Sequence, residues 1–166
     1  MTTRKDIVDS ALQLENDGID FYMKTAENAN PIAKKMFESF AEDEKKHIKW
    51  IKQLASKEKI DVEEPEIVYE RLRKIFRDTP EHLKENAKAT EDDTQALKIA
   101  IGMETKSKEA YEKWAEEVDD KEAEDLCRVL AKYEGIHRKL FQNAEEYLNR
   151  TGDWFMKEEQ WIFDGG

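Results

Sequence analysis

Residues 40–51 have the sequence FAEDEKKHIKWI, in which Glu44 and His47 are three positions apart. Side chains at this spacing lie on one face of a helix, where they can bind one metal ion together. The apolar residues around them, including Phe40 and Ile51, recur at alternating spacings of three and four. That period is typical of a helix that buries one stripe. We therefore predict a helix whose buried face carries a carboxylate and an imidazole.

The same pattern occurs again at an offset of 90, where residues 130–141 have the sequence LAKYEGIHRKLF. Here Glu134 and His137 occupy the positions of the first Glu and His, and Leu130 and Phe141 replace the apolar residues at its ends. A second helix of the same kind is therefore expected, and the two are interpreted as copies of one repeat.

Each of these helices is preceded by another helical pattern that carries a single glutamate on its apolar stripe. Glu15 lies in residues 12–22, LQLENDGIDFY, and Glu104 lies in residues 100–111, AIGMETKSKEAY, at an offset of 89. The one-residue difference between the two offsets falls in a loop, where insertions are best tolerated. The chain is therefore interpreted as two similar helical hairpins related by a pseudo-twofold axis.

The four patterns run over about residues 5–28, 31–54, 93–118 and 121–148, with start signals at Asn30–Pro31, at residues 90–93 and at residues 119–120. Short loops join the first helix to the second and the third to the fourth, so each pair is predicted to be antiparallel. Residues 56–89 contain one short amphipathic pattern, Ile67 to Phe76, before Pro80. We predict an all-α antiparallel four-helix bundle with one long crossover connection.

Composition agrees with a helical protein and restricts its partners. The 166 residues include only 6 Gly and 3 Pro, and 39 acidic against 28 basic residues give a net charge of -11, which disfavours binding to nucleic acid or to an anionic membrane. The single cysteine, Cys127, excludes an internal disulfide and is expected in the core. Because we find no apolar run suited to a signal or a membrane span, we expect a cytoplasmic protein.

The predicted core contains too many carboxylates to be left without counter-charges. Burying them unpaired would cost several kcal/mol each, or the groups would take up protons. Two divalent metal ions would neutralise four carboxylates, and two neutral imidazoles would complete their coordination. The predicted metal ligands are Glu15, Glu44, His47, Glu104, Glu134 and His137. In this interpretation the lone glutamates of the first and third helices can bridge the two ions.

The four quoted segments resemble the metal-binding helices of rubrerythrin-type members of the ferritin-like superfamily, over about residues 5–148. The resemblance implies a non-haem di-iron site that uses the six residues above and reduces hydrogen peroxide or dioxygen. Manganese or zinc could replace iron in such a site. Tyr22 matches a tyrosine that lies beside the metals in this family, and Tyr111 is its copy in the repeat. Both are candidate catalytic donors to bound oxygen, or else core aromatics with satisfied hydroxyl groups.

The chain departs from the family pattern in two ways. It contains no CxxC pair of a rubredoxin-like domain, so its electrons are expected from an external donor such as a rubredoxin-like protein. Ser107 occupies the place of an additional family glutamate, and Gly18 is the matching position in the first helix. This change leaves a ferroxidase or iron-handling protein as the alternative. The two small residues either leave space above the metals or simply allow close packing of the helices.

The last residues form a separate segment in this interpretation. Residues 1–148 are assigned to the bundle, and residues 149–166 to a tail rich in large apolar groups. These are Trp154, Phe155, Trp161, Ile162 and Phe163. Because such groups avoid water, we expect the tail to pack on its own bundle or on a second subunit of a homodimer.

Overall fold

The computed structural model describes residues 2–65, 67–80, 82 and 91–149. Its helices are α1 (Arg4–Ala26), α2 (Pro31–Ser56), α3 (Ile67–Arg77), α4 (Glu91–Glu117) and α5 (Lys121–Asn149). Within this part of the chain there is no β-strand, and Thr2 and Val118 form an isolated bridge. The predicted all-α helical fold is confirmed.

The helix starts are fixed by side chains that accept backbone hydrogen bonds. Thr3 and Asp6 form a capping box at the start of α1. The Asn30 side chain accepts from the N–H groups of Ile32 and Ala33, directly before Pro31 at the first position of α2. The predicted start of α2 is therefore correct, whereas α1 ends at Ala26, two residues before the predicted limit, because the chain already turns there.

Contacts at the two ends of the bundle show how the helices run. At one end, Arg4 of α1 donates to the Leu54 carbonyl at 3.1 Å and to both carboxylate oxygens of Asp120 at 2.7 and 2.8 Å. At the other end, Asn30 donates to Asp93 at 3.3 Å. The start of α1 therefore lies beside the ends of α2 and α4, so α1 is antiparallel to both. The connection from α2 to α4 must cross the length of the bundle.

This crossover lies over α2 and α5. Val68 and Leu72 of α3 are buried, and α3 packs on α2. The segment before α3 contacts α5, where the Tyr133 hydroxyl donates to the Glu63 carbonyl at 3.1 Å. Ile67 was predicted on the apolar face of this helix but is 46% exposed, because it occupies the first position of the helix. The side chain of Phe76, which was predicted on the same face, is not among those that the structure describes.

The core is formed mainly by the apolar stripes of the four long helices, together with Val68 and Leu72 of α3, and the long helices pack mainly as the pairs α1–α2 and α4–α5. Cys127 is buried in this core, and burial raises the pKa of its thiol to about 12, as expected for a packing residue. None of the described helices has the length and apolar character needed to cross a membrane. Thr90 and residues 150–166, with all five large apolar groups of the predicted tail, lie outside the described residues.

Candidate metal centre

The six predicted ligands lie together at the middle of the bundle. Each of the four long helices contributes near its centre, and none of the six side chains is more than 3% exposed. Residues separated by up to 122 positions in the chain therefore meet because each occupies the buried stripe of its own helix. The structure brings the complete predicted set into one buried cluster.

The cluster divides into two overlapping groups whose potential ligand atoms lie within 4.8 Å of one another. The first group is Glu15, Glu44, His47 and Glu134, and the second is Glu44, Glu104, Glu134 and His137. The shared residues are Glu44 and Glu134, each from a Glu-x-x-His pair. The lone glutamates, which the sequence suggested as bridges, each belong to one group. The reason is that α2 and α5 present their carboxylates between the two histidines.

Both histidines turn the same ring nitrogen, Nδ1, toward the glutamates of the cluster. His47 Nδ1 lies 2.9 Å from Glu44, 3.1 Å from Glu15 and 3.3 Å from Glu134. His137 Nδ1 lies 3.3 Å from Glu44 and 3.5 Å from Glu104. One imidazole nitrogen is thus available to each group of four ligand atoms.

The donor atoms of the cluster fit metal ions better than they fit one another. Among the described residues, several buried atoms in the cluster have no hydrogen-bond partner. Those on the side of the ligand groups are Glu44 Oε1, Glu104 Oε2, Glu134 Oε1 and His137 Nδ1. Buried polar atoms are normally paired, so orphaned acceptors that face one another suggest a missing cation. Two divalent ions would supply both the missing contacts and the missing charge.

Without metal, protons partly replace this charge. Burial and the neighbouring Glu44 raise the pKa of Glu15 to about 8, and burial with Glu104 raises the pKa of Glu134 well above its usual value. Burial alone would lower the pKa of His47, but the surrounding carboxylates raise it instead. Burial would also raise the pKa of Glu44, but hydrogen bonds from its neighbours lower it. The metal-free centre therefore holds protons where cations would bind.

The two candidate tyrosines bind the carboxylates in a crossed arrangement. The Tyr22 hydroxyl on α1 donates to Glu104 on α4, and the Tyr111 hydroxyl on α4 donates to Glu15 on α1. Burial and the nearby carboxylates raise the pKa of both tyrosines well above the usual value, so both keep their protons. Their hydroxyl groups are therefore satisfied by potential metal ligands, and a catalytic role stays a prediction.

Comparison with known proteins agrees with this geometry. The family model described as Rubrerythrin matches residues 6–145, which include both hairpins and the crossover. The chain belongs to the rubrerythrin family. The comparisons with curated proteins and with solved structures gave no match. Membership of the rubrerythrin family implies di-iron binding, and the buried cluster of carboxylates and histidines is a group that could hold metal.

Sequence reasoning missed one charged residue of this rubrerythrin-family centre. Asp43 is 1% exposed, and its Oδ2 accepts hydrogen bonds from Arg71 of α3 and, at 3.2 Å, from His137 Nε2. Arg71 also donates to Ser39 Oγ at 2.6 Å. Burial would raise the pKa of Asp43, but the hydrogen bonds to His137 and Arg71 lower it. The only signal in the sequence is an aspartate directly before the glutamate of a Glu-x-x-His pair.

A small cavity of about 10 Å³ reaches the rubrerythrin-family centre between α1 and α4, which is roughly the room for one water molecule. Its walls include Leu14, Gly18, Met103 and Ser107, together with the four glutamates and Tyr22. A Cβ atom on Gly18 would lie 3.5 Å from Glu44 Cγ. The two small residues therefore border a space beside the ligands.

Proposed function

We propose that this chain is a non-haem di-iron oxidoreductase that reduces hydrogen peroxide or dioxygen with electrons from a separate donor. The observation that carries the proposal is the pair of overlapping ligand groups with shared Glu44 and Glu134 and orphaned acceptors. Two bound ferrous ions would supply one electron each, and two electrons with two protons convert one peroxide molecule to two waters.

The protein contributes binding, orientation and exclusion of water. The two groups of carboxylates and histidines would hold two ions, and Glu44 and Glu134 belong to both groups. Tyr22 and Tyr111 orient Glu104 and Glu15 by donating hydrogen bonds to them. The buried walls exclude bulk water, and the one-water cavity beside Gly18 and Ser107 is the proposed point at which the oxidant approaches the centre.

The proposal extends to the electron donor, the compartment and the assembly of the protein. We propose a rubredoxin-like protein as the separate electron donor. We further propose that the protein acts in the cytoplasm against oxidative stress as a homodimer, in which residues 149–166 pack on the bundle or on the second subunit. Light scattering of the full chain tests the homodimer, and truncation after residue 148 tests the role of the tail in its assembly.

A second candidate function is that of a ferroxidase that oxidises ferrous iron and passes it on. Ser107 favours it, because the carboxylate that the family resemblance places there is absent. The cavity at this position is also lined by four carboxylates, which would attract a cation entering between α1 and α4. In this case iron is the substrate of the centre as well as its resident ion.

The test begins with anaerobic loading of the apoprotein with two ferrous ions per chain. Peroxide and dioxygen are then added in separate stopped-flow runs, and the absorbance change is followed. Faster oxidation by peroxide supports the peroxidase, whereas faster oxidation by dioxygen with uptake of further iron supports the ferroxidase. A Glu134→Gln variant is the control for reaction of iron outside the centre. Parallel loading with manganese or zinc determines which ion the site prefers.

A further inference from the structure

The two halves of the repeat differ beside the candidate metal centre. At an offset of 90, Asp43 of α2 corresponds to Tyr133 of α5, each directly before the shared glutamate of its helix. A carboxylate in one half is therefore replaced by an aromatic ring in the other. The two histidines consequently have different surroundings on the side that faces away from the ligand groups.

On the side of His137, the outer ring nitrogen has a charged acceptor. His137 Nε2 lies 3.2 Å from Asp43 Oδ2, which also accepts from Arg71. Arg71 is in turn fixed by its hydrogen bond to Ser39 at 2.6 Å. The carboxylate is therefore held by both α2 and the crossover helix α3, with a charged partner that offsets the cost of its burial.

On the side of His47, the outer ring nitrogen has no acceptor. His47 Nε2 is buried without a hydrogen-bond partner in the part of the chain that the structure describes. Its ring packs edge-on against Tyr133 at 4.8 Å between centroids, and in a tilted arrangement against Trp50 at 5.4 Å. The Tyr133 hydroxyl is turned away and donates to the Glu63 carbonyl instead.

We propose that Asp43 is a positioning residue that makes the two metal sites unequal, so that the site with His137 fills first and the site with His47 holds the more exchangeable ion. The inference rests on the proposed function, in which these ligands bind two ions. An acceptor on the outer nitrogen of a ligating histidine fixes its tautomer and ring orientation and increases its strength as a ligand. Arg71 then links the strength of this site to the crossover.

Zinc titration of the apoprotein tests this inference without redox chemistry. Calorimetry measures the two affinities, and long-range ¹H–¹⁵N spectra of the histidines show which ring responds first, with His82 as the internal reference. We expect two steps at least about tenfold apart, the first of which shifts His137. The Asp43→Asn variant should weaken the His137 site by about 10–100-fold and leave the His47 site unchanged, so that the order of filling is lost or reversed where the two sites differ only about tenfold.

Two further variants separate positioning from general damage. Arg71→Met keeps an unbranched apolar stem but removes the guanidinium that holds Asp43, and it should weaken the His137 site to a smaller extent. Tyr133→Phe keeps the ring against His47 and loses only the bond to Glu63, so both affinities should persist. Because each variant is judged by the ratio of its two affinities and by the His137 Nε2–H signal, a general loss of stability does not imitate the effect.

Equal affinities in the unmodified protein, or equal weakening of both steps by Asp43→Asn, would overturn the inference but leave the two-ion centre intact. First occupation of the His47 site would also overturn it. Failure of the unmodified protein to bind zinc, ferrous iron or manganese would instead reject the proposed function together with this inference.

Discussion

Helices α1 and α4 differ from α2 and α5 in what they contribute to the centre. The α2–α5 pair supplies the two shared glutamates and both histidines, and the crossover covers it. The α1–α4 pair supplies one unshared glutamate and one tyrosine from each helix, with a small cavity between them. We infer that the α2–α5 pair under the crossover gives the ions most of their support. The α1–α4 pair, which has the cavity, would admit the oxidant.

Removal of the ions should have the largest effect, because it leaves the carboxylates of both helix pairs facing one another. At free ferrous iron 100-fold above the dissociation constant, each site would add about 2.7 kcal/mol to the free energy of unfolding. Two sites correspond to a rise in Tm of about 10–20 °C over the apoprotein. Anaerobic calorimetry with and without a chelator measures this shift. An unchanged Tm would contradict binding at the cluster.

Loss of a shared carboxylate should be more damaging than loss of an unshared one. Glu134→Gln on α5 removes a ligand from both sites, so we expect both ions to bind roughly 100-fold more weakly or worse. Glu104→Gln on α4 removes a ligand from one site only and should retain one tightly bound ion. Metal analysis after dialysis gives the stoichiometry. Equal losses in the two variants would remove the distinction between the helix pairs.

The stability of the apoprotein should fall as the pH rises from about 5 to 8. The pKa of Glu15 is about 8 in the folded state and near 4.5 when unfolded, so the folded state holds the extra proton in this range. The raised pKa values of His47 and His137 act in the same direction. The decrease in the free energy of unfolding should be about 1–4 kcal/mol, measured by urea titration.

The matched control for this pH effect is Glu15→Gln, which should flatten the dependence. Metal-loaded protein should show the opposite trend, because its ligands must lose protons before they bind and the affinity therefore rises with pH. An apoprotein that becomes more stable toward pH 8 would show that folding does not raise the pKa values of these buried groups.

The sequence predicted the fold and all six clustered residues because one period, three and four, governs both helix packing and ligand placement. It did not predict which glutamates are shared, because this depends on where the packing of the helices places each carboxylate relative to the two histidines. Asp43 was missed since it lies beside the stripe and its partner Arg71 comes from the crossover. The repeat also suggested two equal halves, whereas Asp43 and Tyr133 make them different.

The smallest expected effects concern the cavity between α1 and α4. Gly18→Ala places its Cβ in ordinary contact with Glu44 Cγ at 3.5 Å, and it should stabilise α1 by about 0.5–1 kcal/mol without slowing oxidation. Gly18→Leu adds more volume than the cavity offers and closes it, so it should slow oxidation of the loaded centre about tenfold, equivalent to about 1.4 kcal/mol of activation free energy. Stopped-flow absorbance measures the rate, and metal analysis confirms that both variants carry the same iron content. If the leucine variant reacts as fast as the alanine variant, the oxidant enters elsewhere, and the α1–α4 side loses its assigned role.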